Sequence, residues 1–116
     1  MNVLICGGRD YNDEQYLWEY LDKYTEENGV ELVIEGGATG VDRLANLWAI
    51  HHGVHVAQVR PRWDFFGKKA GHLRNAAMLR LNPMVVIAFP GGVGTANMIK
   101  QAKEKGVPVI EVPPRT

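Results

Sequence analysis

Apolar positions along the chain alternate between short continuous runs and stripes at helical spacing. Asn2 to Cys6 is a run closed by GGRD, and from Asp13 to Asn28 the residues Tyr16, Leu17, Tyr20, Leu21 and Tyr24 recur on one helical face. Glu31 to Glu35 is a second run, closed by GGATG. Val41, Leu44, Ala45 and Trp48 then repeat at helical spacing up to a His-His-Gly stop at 51–53. Val54 to Val59 predicts a third strand, RPRWDFFGK a loop, and Lys69 to Leu81 a helix that stops before Asn82-Pro83, because a residue preceding proline disfavours the α region. Met84 to Phe89 is the most apolar strand, PGGVGT a loop with Thr95 as helix cap, Ala96 to Lys105 a helix, and Val107 to Val112 the last strand.

Strands that alternate with helices over short connections require a parallel sheet covered on both faces, since each parallel crossover needs an intervening element and is right-handed. The expected fold is α/β, a Rossmann-like three-layer sandwich around a five-stranded parallel sheet of order 3-2-1-4-5. In that order the loops after the first and fourth strands face each other across the crevice where such sheets bind ligands. The second helix also carries Leu47 and Ile50 on a further apolar stripe, wider than one sheet contact needs. That stripe predicts a homodimer or higher oligomer.

Composition narrows the class without naming a chemistry. The 116 residues suit one domain spanning 1–116, and 46% hydrophobic with 22% charged residues can fill a core. Net charge is zero, yet the first third is acidic and the middle basic through Arg60, Arg62, Lys68, Lys69, Arg74 and Arg80. Cys6 has no partner for an internal disulfide and closes an apolar run, so a buried, inert thiol is expected. No basic leader precedes a long apolar stretch, and no run of about 18 apolar residues occurs. A cytoplasmic protein without membrane contact is expected. The histidines lack acidic or cysteine partners at ligand spacing, so neither a metal nor a cofactor is expected.

Candidate chemistry gathers in the glycine-rich loops. Glycine lets backbone N–H groups approach an anion, and a helix that starts directly afterwards adds its positive dipole end. Candidate ligand or phosphate contacts are Gly7, Gly8 and Arg9 after the first strand, Gly36, Gly37, Ala38 and Gly40 after the second, and Gly91, Gly92, Gly94 and Thr95 after the fourth. Each such turn also has a purely structural use, but three converging at one sheet end favour a ligand. Neither GxGxxG nor GxxxxGK[ST] is present, which disfavours a standard dinucleotide site and a P-loop. Asp42 and Asp10 are candidate catalytic carboxylates; the alternatives are a helix N-terminal residue for Asp42 and an Asx turn for Asp10. Arg9 can clamp a phosphate or pair with one of those aspartates. Trp63 is a candidate base-stacking residue, set with Phe65 and Phe66 among cations; a large aromatic is otherwise more often a core or subunit contact.

The stretches GGRDY at 7–11, EGGATGVDRLANLWA at 35–49, GKKAGHLRN at 67–75 and FPGGVGTANM at 89–98 resemble the SLOG superfamily, in particular its small YspA-like, YpsA-related branch of bacteria and phages. The resemblance implies a Rossmann-like fold that binds nucleotides or nucleotide-derived ligands. It extends to the LOG-type phosphoribohydrolases, which cleave an N-glycosidic bond and complete their pocket from two subunits. It extends also to the DNA-processing protein A family, which binds single-stranded DNA and makes a nucleic-acid-binding module the alternative function. By the LOG resemblance, Arg74 contacts phosphate or base, with Asn75 as its companion. The chain departs from LOG where PGGxGT should be followed by a glutamate, for that position is Met98. A thioether can neither stabilise an oxocarbenium-like centre nor activate water. Binding of a nucleotide-derived ligand, with hydrolysis only through Asp42 or Asp10, is the expected function, and a non-catalytic sensor or sequestering protein for a nucleotide signal is a further alternative.

Overall fold

The central strand of the sheet is buried on both faces, and that sets the layers. In the computed structural model, which describes residues 1–115, the elements are β1 (Asn2–Cys6), α1 (Glu14–Asn28), β2 (Leu32–Glu35), α2 (Val41–His51), β3 (His55–Gln58), α3 (Trp63–Phe66), α4 (Ala70–Leu79), β4 (Val85–Ala88), α5 (Val93–Glu104) and β5 (Val109–Glu111). A 3₁₀ turn at Gly67–Lys69 joins α3 to α4. All strands run parallel in one five-stranded sheet, order β3-β2-β1-β4-β5, as the pattern predicted.

Successive side chains of a strand point to opposite faces. Val3 and Ile5 of β1 therefore join Leu17, Leu21, Val41 and Trp48 from α1 and α2, while Leu4 and Cys6 join Met78, Leu79, Met98 and Ala102 from α4 and α5. The chain winds outward from β1 to β3 on the first face, then crosses back to β4 on the second. The loops after β1 and β4 thus leave the sheet in opposite directions and open a crevice between them. Leu47 and Ile50 remain 42% and 65% exposed. No helix of the described residues is long and apolar enough to cross a membrane.

Three local differences from the sequence pattern follow from signals too short to show periodicity. The stretch expected to be a loop contains α3, a single turn in which Phe65 and Phe66 N–H groups bond to the Arg62 carbonyl. Its residues are exposed, so no apolar stripe announced it. α4 is shorter than expected at both ends, and Asn82 turns the chain before Pro83 in the left-handed region at φ 57°. Finally, α5 begins at Val93 rather than Ala96, with Gly92 at its cap and no side-chain capping bond. Thr95 is consequently not the cap but a buried residue of the first turn. Val93 and Gly94 face away from the core, which is why the helical stripe becomes visible only at Thr95, Met98 and Ala102.

Candidate functional site

Backbone hydrogen bonds tie the three glycine-rich loops into one rim. The Gly8 N–H donates to the Pro90 carbonyl at 2.9 Å, the Val41 N–H to the Gly8 carbonyl at 3.2 Å, and the Thr39 hydroxyl to the Arg9 carbonyl at 3.0 Å. Such close approach restricts side chains. Gly7 lies against Val41, Gly91 lies under the Thr95 hydroxyl, and Gly8 has the Pro90 oxygen 3.1 Å from where a Cβ would stand. Gly40 has φ 71° and packs on the carbonyls of Gly8 and Arg9, so any side chain there is both strained and obstructed.

The rim surrounds a cleft of about 660 Å³ over the carboxyl ends of β1 and β4, whose lining includes Cys6, Asp10, Asp42, Arg74 and Met98. Asp42, on the first turn of α2, is 7% exposed and accepts the Ala38 N–H at 3.1 Å. Burial pushes its carboxyl up to about 6, against the opposing pull of the Ala38 hydrogen bond. Asp10 sits exposed among the lining residues. Burial also lifts the Cys6 thiol to about 12, with Asp42 adding to the effect, so the thiolate needed for nucleophilic chemistry is not formed near neutrality. Met98 is 1% exposed in the core behind α5, yet it also lines the cleft. The position where the LOG resemblance asks for a glutamate therefore faces the cleft as a thioether.

Arg74 reaches the cleft from α4. Its Nη1 donates to the Gly36 carbonyl at 2.6 Å and its Nε to the Asn75 Oδ1 at 2.9 Å. The guanidinium occupies the space that a side chain at Gly36 would need. Burial lowers its pKa while the carboxylate of Asp42 opposes the fall, a sign of how far it is withdrawn from water. Asn75, 3% exposed, has its amide nitrogen on the Gly94 carbonyl and the Asn97 Oδ1 at 3.2 and 3.1 Å. It joins Arg74 to the first turn of α5. Above that turn, nothing lies within 4 Å of an ideal Cβ at Gly92 or Gly94.

A smaller pocket of about 310 Å³ adjoins the cleft toward β3 and shares Arg9, Ala38 and Arg74 with it. Trp63, half exposed, forms part of its wall, and the Arg9 guanidinium lies 6.0 Å from its ring centroid. Phe65 and Phe66 of the same turn do not line either space. Arg9 makes no ion pair with Asp10 or Asp42 among the described residues.

One structural residue of the site was not singled out from sequence. Glu35 is fully buried, and its carboxylate accepts the Gly37 N–H at 2.6 Å, the Asn46 amide at 3.0 Å and the Gln58 amide at 2.7 Å. It braces the second loop from beneath. The signal was present: Glu35 follows Val33 by two residues in a strand, which puts it on the inward face with Val33.

Together the parallel order, the switch-point crevice and the three-loop rim define a Rossmann-like domain with its cleft at the carboxyl ends of the central strands. The model of the YspA, cpYpsA-related SLOG family matches residues 1–66, and the chain belongs to that family. The matched part holds the first two loops. The Gene 61 protein of Mycobacterium phage D29 is similar along almost the entire length, 39% identical over 116 residues that cover 93% of each chain. The X-ray structure of DNA processing protein A (DprA) from Streptococcus pneumoniae is similar in fold, with a TM-score of 0.79 at 19% identity over 98% of this chain. This chain spans about half of that protein, 50%.

Proposed function

We propose that the protein binds a nucleotide or nucleotide-derived ligand, with a phosphate seated on the first turn of α5. The observation that carries this is the uncapped start of α5 opening on the same cleft as the Arg74 guanidinium, with free space above Gly92 and Gly94. The first N–H groups of a helix have no intrahelical partner and lie at the positive end of its dipole, where an anion is stabilised. Membership of a SLOG family supports the same ligand class.

Hydrolysis of that ligand is a second reading, favoured by one feature. A cleft carboxyl that titrates near 6, as Asp42 does, can take or give a proton close to neutral pH. Met98 supplies nothing of the kind, so any general acid or base work would fall to Asp42 or, at the exposed edge, to Asp10.

Thermal melting of the protein with a panel of nucleoside monophosphates, cyclic nucleotides, NAD and ADP-ribose, followed by chromatography of the same samples, tests both. A ligand at about a hundred times its dissociation constant should add nearly 3 kcal/mol of stability. Arg74→Ala should abolish the shift in melting temperature. A panel in which no member moves the melting point of the wild type overturns the binding reading. Released base or ribose phosphate, lost in Asp42→Asn while the shift persists, would establish turnover.

A further inference from the structure

The pocket beside β3 differs from the main cleft in its charge. The lining of the main cleft holds Asp10 and Asp42 as well as Arg9 and Arg74, whereas the lining of the smaller pocket contains Arg9, Arg60 and Arg74 and no carboxylate. None of the three arginines takes part in an ion pair among the described residues. Arg9 and Arg74 repel one another, the carboxylates of Asp42 and Glu35 oppose that repulsion from outside the pocket lining, and an anion placed among the arginines would relieve it.

Two of the arginines, Arg60 and Arg74, are also held in place by the fold. Arg60 Nε donates to the Gln58 Oε1 at 2.9 Å, and the Gln58 amide donates in turn to the buried Glu35 carboxylate at 2.7 Å. This leaves both terminal nitrogens of Arg60 without a protein partner among the described residues, a free fork of the geometry that suits two phosphate oxygens. Gly37, at φ 76°, has the Arg60 Cγ 2.8 Å from its ideal Cβ, and Gly36 accommodates the Arg74 guanidinium in the same way. The paired glycines of the second loop thus make room for two arginine side chains. Trp63 lines the same pocket, with the Arg9 guanidinium 6.0 Å from its ring centroid.

We propose that this pocket is a second phosphate subsite, and that the ligand of the cleft is a small nucleotide carrying a second phosphate beyond the one on α5. The proposal rests on the nucleotide reading of the main cleft. It assigns Arg60, one of the cations that surround Trp63 in the sequence, to discrimination between ligands with one phosphate and ligands with two.

The test is calorimetric titration of the wild type and Arg60→Ala with the mono-, di- and bisphosphates of the common ribonucleosides, together with a short phosphorylated thymidine oligonucleotide. Arg60 is exposed and its hydrogen bond goes to the Gln58 side chain, so Arg60→Ala should keep the fold, which an unchanged melting temperature without ligand checks. The expected result is a preference of about tenfold or more for a two-phosphate nucleotide over its monophosphate in the wild type, falling to near one in Arg60→Ala. Equal affinities in the wild type, or a preference that survives Arg60→Ala, would overturn the second subsite and leave the nucleotide reading standing. Tighter binding of the oligonucleotide than of any free nucleotide would overturn a small ligand in favour of a strand. Absence of binding by every probe would overturn the nucleotide reading itself, and the second subsite with it.

Discussion

In the loop after β2, Gly36 and Gly37 lie against the side chains of Arg74 and Arg60, and Gly40 lies against the backbone of the first loop; in the loop after β4, Gly92 and Gly94 have no neighbour within 4 Å of an added Cβ. The two loops are close to identical in composition. Their glycines nevertheless answer to different constraints: Gly36, Gly37 and Gly40 meet the protein's own atoms, as Gly91 does under the Thr95 hydroxyl, whereas Gly92 and Gly94 face open space. A glycine that faces open space at a helix start is the kind that leaves backbone donors accessible to an incoming group. The glycines of the second loop instead act indirectly, by admitting cations to the rim.

Substitution in the second loop should therefore be felt in the fold. Gly40→Ala combines a left-handed φ with obstruction by the Gly8 and Arg9 carbonyls, and should destabilise the protein by about 3 kcal/mol or more. Urea denaturation measures this, and an unchanged midpoint would remove the contrast between the loops.

Asp42, anchored to the same loop through Ala38, should give a pH signature of comparable or smaller size. Its carboxyl is held at about 6 in the folded protein against an ordinary value of 3.8, so between these values the unfolded chain releases a proton that the folded chain retains. The contribution is fully present below the ordinary value and is lost as pH rises through about 6. Asp42→Asn should flatten that loss, gaining up to about 3 kcal/mol relative to wild type at pH 7 compared with pH 4. Paired denaturation curves at the two pH values decide it, and a difference independent of pH would show that the carboxyl is not held protonated.

The smallest effect belongs to the loop after β4, and its sign is the informative part. Gly94 lies inside the first turn of α5 with free space around it, so Gly94→Ala should stabilise the protein by about 0.5–1 kcal/mol through helix propensity. If a phosphate sits on that turn, the added methyl should weaken nucleotide binding in the same variant. Stability and affinity that rise together would mean that the ligand does not approach Gly94.

Much of this molecule was legible in order. Alternation of apolar runs with helical stripes led to the strand order, because parallel strands need crossovers and crossovers have one hand. The position of the cleft followed from that order. Elements of one turn were not legible: α3 and the first turn of α5 expose nearly all their residues, so they carry no stripe. Nor was the difference between the two glycine loops, since a glycine near an arginine and a glycine near nothing are the same letter.

What the sequence determined alone is the sheet, its two covered faces and the end at which three loops meet, since each depends on patterns repeated within a few residues. Only the tertiary structure decided which groups those loops bring together. Arg74 meets Gly36 across 38 residues, Gln58 meets Glu35 across 23, and Arg60 takes its place in a carboxylate-free pocket through that second contact. Local periodicity carries no information about such pairs, because the distance between two side chains remote in sequence is set by how the layers pack and not by the residues between them.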